Sequence, residues 1–525
     1  MVIIIYEELK KFLSKEDLQL LIEYNSQPIP FTIRLNTSRI LEGKFEELMS
    51  KYHIEWSKNK FLSFAYQINN VPADSHNFFI RLRLLGYYYA QNFSSMIPPL
   101  AFNSFNSHQG SINDIKIIDL CAAPGSKTTQ LSHILENKGL IIANDYSKKN
   151  HRAYVLHRNL KLICSLNTLL ASQDARKLGK KWPNFFDAAL ADVPCTGTGV
   201  LREQDLNLKK REEIDIKKIA KRQFEIINSA IKLVKPGGII IYSTCSYLPQ
   251  ENELVLKSFI EKDLVTIEPL SIENITFHDG LTWFDEEELP KELKNTGRIY
   301  PYDFNSVGFY IAKLRVNDKP EKFSEVYDIY KEEDKNYKHL EQKWDIIDSK
   351  ERKKIWNYFE NNYGVVESKY TNYDIIKNKK GRIWMTTKIV ADFLKKQRNW
   401  PATERIAVSI AQEERLNKEK IRLTIDGVLL FHNEINRDKI HVLEKTVEEE
   451  WFRGKTIEIS NLNNNFENGS YIILETEDGI GAGCSKLSEN ILYNFLPKLR
   501  RYPTKGEEQK KSDDQKGNDY TSIIE

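Results

Sequence analysis

Three short stretches hold residues whose types and spacing could do chemistry. The first reads Asp119-Leu-Cys121-Ala122-Ala123-Pro124-Gly125-Ser126-Lys127. Pro124 and Gly125 allow a sharp turn and a close approach of backbone to a ligand. A helix beginning at Ser126 would present unpaired N–H groups to a carboxylate or phosphate. The stretch is neither a Walker A loop nor Gly-x-Gly-x-x-Gly, which disfavours a polyphosphate. Asn144-Asp145 comes twenty residues after Gly125, where an acid is placed to accept ribose hydroxyls. S-adenosylmethionine, an adenosine with a carboxylate and no phosphate, suits this set. From the turn alone, an ordinary α/β turn without a ligand reads equally well. The second stretch is Asp192-Val-Pro194-Cys195 and the third is Tyr242-Ser-Thr-Cys245-Ser246. A free cysteine is most often a small buried hydrophobe. Two thiols and an acid at the carboxyl edge of one sheet imply more: a thiolate nucleophile with a thiol or acid partner.

Elements must carry these residues. Apolar runs at 115–120, 139–143, 166–171, 186–191 and 238–242 read as strands buried on both faces. Helix-like stretches at 126–135 and 148–162 alternate with them, which predicts βαβ units and a parallel sheet. The thiols and Asp192 then sit just past strand ends, where open α/β sheets bind ligands. The expected fold is α/β, a Rossmann-like catalytic domain over 76–317. An N-terminal α/β segment (1–75) precedes it, and a helix is expected over 80–91. A charged linker or helical region (318–380) and a small β-rich domain (381–503) follow, with strands at 421–431, 456–459 and 471–475. Asp-Gly turns are expected at 426–427 and 478–479. The tail, 504–525, reads as disordered. This organisation implies that a chain ending near residue 318 would stay folded.

Composition narrows the class. Hydrophobic residues are 41% and charged residues 29% of 525, enough apolar content for a core. With 77 basic and 74 acidic residues the net charge is +3, so nucleic-acid binding must come from clusters. Candidates are Lys148, Lys149, Arg152 and Arg158, a run from Lys209 to Arg222, and Lys498 to Arg501. Each could equally be a solvated, ion-paired surface. Five scattered cysteines without C-x-x-C spacing exclude a disulfide scaffold and disfavour a zinc ribbon, and point to a reducing compartment. No apolar run reaches the ~20 residues of a membrane helix. No metal and no membrane partner are expected.

Taken in order, Asp-Leu-Cys-Ala-Ala-Pro-Gly-Ser-Lys-Thr, Asp-Val-Pro-Cys and Tyr-Ser-Thr-Cys-Ser resemble the Nol/Nop/Sun family of RNA cytosine-5 methyltransferases. Arg34-Leu-Asn36, Ser94-Ser-Met-Ile-Pro-Pro99, Arg298-Ile-Tyr-Pro301 and Gly308-Phe-Tyr-Ile-Ala312 extend the likeness over roughly residues 25–315. The usual Pro-His and Phe-Phe pairs are Pro301-Tyr302 and Phe309-Tyr310 here. The resemblance implies that Cys245 is the nucleophile that adds to cytosine carbon 6 and that Cys195 assists its release. It implies that Asp192 and Lys127 hold the base. It implies that Cys121 through Lys127, Asp145, Asp174 and Asp192 contact S-adenosylmethionine. Ser-Met-Ile-Pro-Pro and the long C-terminal extension look like the eukaryotic tRNA branch, which implies tRNA as substrate, a C-terminal PUA-like RNA-binding domain, a monomer and a nuclear or else cytoplasmic address. Ribosomal RNA as substrate, or an assembly factor on a methyltransferase scaffold, are the alternatives.

Overall fold

The computed structural model describes residues 7–102, 111–146, 151–200, 215–318, 345–396, 405–406, 408–415, 417–459 and 466–503. Lys148, Lys149, the basic residues 209–211, most of the charged stretch after 318 and the tail 504–525 lie outside them.

The central sheet follows the apolar runs. Seven of its ten strands among the described residues are β1 (Lys116–Asp119), β2 (Leu140–Asn144), β3 (Thr168–Ala171), β4 (Phe186–Asp192), β5 (Val234–Thr244), β6 (Val265–Glu268) and β7 (Phe309–Val316); Gly297–Ile299 and His278–Asp279 continue it beyond β7. Every residue of β2 and β3 is buried, as strands covered on both faces require. The order across the sheet is β3-β2-β1-β4-β5-β7, with β6 on the outer side of β7. Neighbours from β3 to β5 run parallel, and β7 runs antiparallel to β5. The chain moves outward from β1 to β3 and returns to β4, so the direction reverses between β1 and β4. A crevice opens at the carboxyl ends of strands at such a switch point. Helix α1 (Ser126–Ile134) follows β1, α2 (His151–Ile163) precedes β3, and α3 (Ile216–Leu233) enters β5. Asp215 caps α3 by accepting the Lys218 N–H at 3.1 Å.

The expected domain boundaries shift. The N-terminal sheet has Thr32–Leu35 between Ala65–Asn70 and Tyr88–Ala90, so this unit continues past residue 75. The helix expected over 80–91 is His76–Leu84, and the chain then turns through Gly86 into the edge strand. Tyr373–Lys377 and Arg382–Thr387 form a hairpin across residue 380, so no boundary falls there. The expected strand over 421–431 is a strand, Ile421–Leu423, and then a helix, Ile425–Phe431. Thr424 explains the break, because its hydroxyl accepts the Gly427 N–H and starts the helix where Asp-Gly was expected to turn. Asp478-Gly479 does turn, with Gly479 at φ +74° between paired strands.

The C-terminal region is welded to the rest. Arg405–Ile406 pairs antiparallel with β3 and extends the catalytic sheet. Ile376, Trp384, Val390 and Phe393 share a core with β1, β4 and α3. Trp451, Leu474 and Leu492 share one with Phe45, Tyr66 and Leu82 of the N-terminal unit. Arg500 is fully buried, paired with Asp426, and donates to the backbone of Leu84 and Lys161. It is therefore not an RNA-facing cation, contrary to expectation. Among the described residues, no helix is long and apolar enough to cross a membrane.

Candidate active site

The turn after β1 is held from both sides. Gly125 sits in left-handed backbone at φ +109°, with room for an added Cβ only 3.1 Å from the Leu156 side chain. That conformation favours glycine. Behind the turn, Ala122 N–H donates to the Asn144 carbonyl at 2.8 Å, and the Asn144 amide donates to Leu120 and Gln173 carbonyls at 3.0 Å. In front, the buried Arg34 donates to Thr129 Oγ1 at 2.7 Å and to Gln91 Oε1 at 3.0 Å. Burial lowers the Arg34 pKa to about 10. Asn36 donates to the Gly86 and Ile163 carbonyls, so the N-terminal unit buttresses α1 and α2.

Beside the turn lies an open cleft of about 690 Å³, mouth included, at the β1/β4 switch point. Asp119, Cys121, Ala122, Ala123, Pro124, Ser126 and Lys127 line one side. Asp192, Cys245, Val200, Val307 and Phe309 line the other. Lys127 crosses it: its Nζ donates to Asp192 Oδ2 at 2.7 Å and to Ser95 Oγ at 3.0 Å, 4.9 Å from the Phe309 ring centre. Ser243 donates to the other Asp192 oxygen at 2.7 Å. Cys245 Sγ, exposed to this cleft, is 2.9 Å from Cys195 Sγ. That contact, followed by burial, pushes the Cys195 thiol well above its ordinary range.

The two thiol loops meet closely. Gly199 N–H donates to the Cys245 carbonyl at 2.8 Å, and a Cβ at Gly199 would lie 2.5 Å from the Gly308 carbonyl oxygen. Arg298 is buried, paired with Glu253 through two bonds of 2.8 and 2.6 Å, and donates to the Tyr247 carbonyl at 2.9 Å. It fixes the segment just beyond Cys245.

Two expected residues are not in the cleft. Asp145 accepts the Ala123 N–H at 3.1 Å and is gripped by Arg152 through two bonds of 3.0 Å. Burial raises its pKa and Arg152 opposes the rise. Asp174 caps the turn Ala175–Lys180 and is held by Arg176, which outweighs burial and lowers its pKa. Each carboxylate is paired with an arginine, and neither is among the residues that line the cleft. Three residues of the site are unmarked by the motifs: Glu251, which is fully buried behind the thiols, and Ser95 and Phe309, which line the cleft. Glu251 follows Cys245 by six residues, but its partners at 196 and 223 are remote in sequence, so no local pattern marks it.

The cleft suits S-adenosylmethionine. Asp119 Oδ1 is buried at its wall with no hydrogen-bond partner among the described residues, while Oδ2 accepts from Thr128 at 2.7 Å. Burial carries the Asp119 pKa up to about 7, against the Thr128 bond. An unpaired acceptor beside a turn of small residues calls for a ligand with a donor group such as an amino group.

Residues 110–315 match the family profile described as 16S rRNA methyltransferase RsmB/F. The ribosomal RNA small subunit methyltransferase F of Shewanella loihica is 30% identical over 378 residues, 69% of this chain and 70% of that one. The chain belongs to the RsmB/RsmF family of RNA cytosine-5 methyltransferases. These are S-adenosylmethionine-dependent enzymes, in agreement with the cleft. The namesake from Erwinia tasmaniensis is 32% identical over 59% of this chain, which spans 62% of that relative's length. The Shewanella woodyi RsmF is 27% identical over 81% of this chain, a match that must reach beyond residue 318. Among solved structures, a methyltransferase homologue from Pyrococcus horikoshii aligns over 59% of the chain and 98% of its own at 28% identity, TM-score 0.46.

Proposed function

We propose that the protein methylates cytosine carbon 5 in small-subunit ribosomal RNA. The observation that carries the chemistry is the thiol pair: Cys245 Sγ opens on the cleft that Lys127 and Asp192 line, with Cys195 Sγ 2.9 Å behind it. Carbon 5 of cytosine is too weak a nucleophile to take a methyl group unaided. The Cys245 thiolate adds to carbon 6, and the electron pair moves to carbon 5. Asp192, held in place by Lys127 and Ser243, accepts from the cytosine 4-amino group, and the Lys127 ammonium beside it offsets the negative charge that builds on the ring as the thiolate adds. When bound, S-adenosylmethionine supplies the electrophilic methyl group. A base then takes the carbon 5 proton, the carbon 6–sulfur bond breaks and Cys245 leaves, with Cys195 able to give it a proton. Asp119 and the turn from Cys121 to Lys127 hold the cofactor. Asp145 reaches its ribose once Arg152, whose side chain is half exposed, swings away.

The RNA class follows from the relatives. Their names specify ribosomal RNA, and the C-terminal extension once read as a eukaryotic mark has a counterpart in the bacterial Shewanella woodyi RsmF. That weighs for ribosomal RNA over tRNA. The C-terminal region is proposed as an RNA-contacting part, PUA-like or otherwise. Arg422 stacks 4.1 Å from the ring centre of Phe495, which is exposed like Tyr493 on the same segment. Such cation–ring pairs suit unstacked bases. Lys217, Lys221 and Arg222 are exposed on α3 and add to the positive surface. Bisulfite sequencing of small-subunit and transfer RNA from a deletion strain tests the reading. Loss of one cytosine mark in small-subunit RNA, restored by the wild-type gene and not by Cys245→Ala, is expected. A mark lost only in tRNA would reassign the substrate.

A further inference from the structure

Glu251 is fully buried at the turn between the Cys245 loop and the next helix, and its carboxylate gathers donors from three segments. Thr196 donates twice, from its N–H to Oε1 at 2.9 Å and from its hydroxyl to Oε2 at 2.5 Å. Ser246 donates its hydroxyl to Oε2. Gln223 of α3 donates to Oε1 at 3.0 Å and to the Pro194 carbonyl at 2.9 Å. Thr196 and Ser246 are the residues that immediately follow Cys195 and Cys245. One carboxylate therefore grips the residue after each thiol, and α3 grips both the carboxylate and the peptide before Cys195.

We propose that Glu251 is a positioning residue that sets the two sulfurs against each other and, as a fixed charge behind the Cys195 loop, leaves Cys245 as the reactive one of the pair. The inference rests on the proposed reaction for its purpose but not for its test. Four donors on two oxygens suit an ionised carboxylate. A fixed negative charge beside the Cys195 loop, in a buried setting, disfavours a second one on Cys195. The same charge raises Cys195 in concert with the Cys245 contact and burial. Cys195 is thereby held as the thiol, behind the Cys245 sulfur that faces the cleft. The carboxylate touches neither cleft nor sulfur. Its effect is on where the sulfurs lie and which one ionises.

The test needs no RNA. Iodoacetamide alkylation of each cysteine in the full chain is followed by mass spectrometry from pH 6 to 10, with S-adenosylmethionine affinity by calorimetry as the control for an intact cleft. In the wild type, Cys245 should react at lower pH than Cys195. In Glu251→Gln the ratio of Cys245 to Cys195 rates at pH 7.5 should fall about tenfold, with the Cys195 profile moving to lower pH. Glu251→Asp, which keeps the charge, should recover part of the ratio. A loop that merely loosens would speed both cysteines together and leave their pH order unchanged. If Glu251→Gln does not fold, Thr196→Val removes one donor and should lower the ratio about threefold. An unchanged ratio in either variant with normal cofactor affinity overturns the proposal. Wild-type protein that fails to bind S-adenosylmethionine would instead overturn the proposed function.

Discussion

At the scale of single residues, the proposed reaction separates the two thiols by when they act. Cys245→Ala should form no covalent RNA adduct and no methylated product. Cys195→Ala should form the bond through Cys245 and stall, giving a slow-migrating, RNase-sensitive band on a denaturing gel. The opposite pattern would exchange their roles. Asp119 carries a pH signature. Its folded-state pKa, raised to about 7 by burial, exceeds the ordinary carboxylate value of about 4. The folded chain thus holds a proton that the unfolded chain releases, and the resulting stability is full below about pH 4 and lost as pH rises through about 7. Asp119→Asn keeps a side chain that can accept from Thr128 and removes the charge. Its melting temperature without ligand should exceed the parent's at pH 8 and match it at pH 4. Equal melting temperatures at pH 8 would show that Asp119 is not strained by burial.

At the scale of elements, the meeting of the two thiol loops is a backbone contact with no spare room. Gly199→Ala would drive a methyl group to 2.5 Å from the Gly308 carbonyl and 2.9 Å from that of Cys245. Overpacking of this kind costs roughly 1–3 kcal/mol. We expect a matching loss in denaturant stability and slower adduct formation, because the strain is relieved by moving the Cys245 loop. Unchanged rates would show the loops to be independent. The strands that carry the site were legible because each is buried on both faces and so reads as an unbroken apolar run, from Ile117 and Ile118 in β1 to Ile239–Ile241 in β5. The same rule misled at 421–431, where a strand and a buried helix both read as apolar and only Thr424 separates them. Cys195, Cys245, Asp192 and Lys127 were legible because each ends or follows a strand or opens a helix. Asp145 does follow β2, yet its grip by Arg152 depends on a side chain seven residues further on. Glu251 was illegible because its meaning lies in partners from other loops.

At the scale of the whole molecule, the separate module expected after residue 380 gives way, over the described residues, to a region packed against the catalytic core. Arg500, Asp426 and Lys161 form its most buried tie. Burial would raise the Asp426 carboxyl, but Arg500 and Lys161 hold it below the usual range. Arg500→Met strands a buried aspartate whose nearest remaining cation, Lys161, is 3.4 Å away. Breaking a buried pair from one side costs about 3–5 kcal/mol. Urea denaturation should show that loss, whereas a change under about 1 kcal/mol would show that water reaches the site. A chain ending at residue 318 should be insoluble or fail to bind S-adenosylmethionine. A soluble truncated chain that binds cofactor with normal affinity would show the C-terminal region to be dispensable for folding.

The strand Arg405–Ile406, laid along β3 at the rim of the catalytic sheet, has a consequence for heredity. A gene segment can be traded between lineages as a unit only if its product folds without its neighbours. Here the C-terminal portion supplies the last strand of the enzyme's own sheet, and the enzyme's β3 supplies the surface on which that strand is laid. Recombination after residue 318 would break both partners at once. A foreign segment spliced in at that point would leave the catalytic sheet without its edge strand, so this region is exchangeable only together with the sheet it completes.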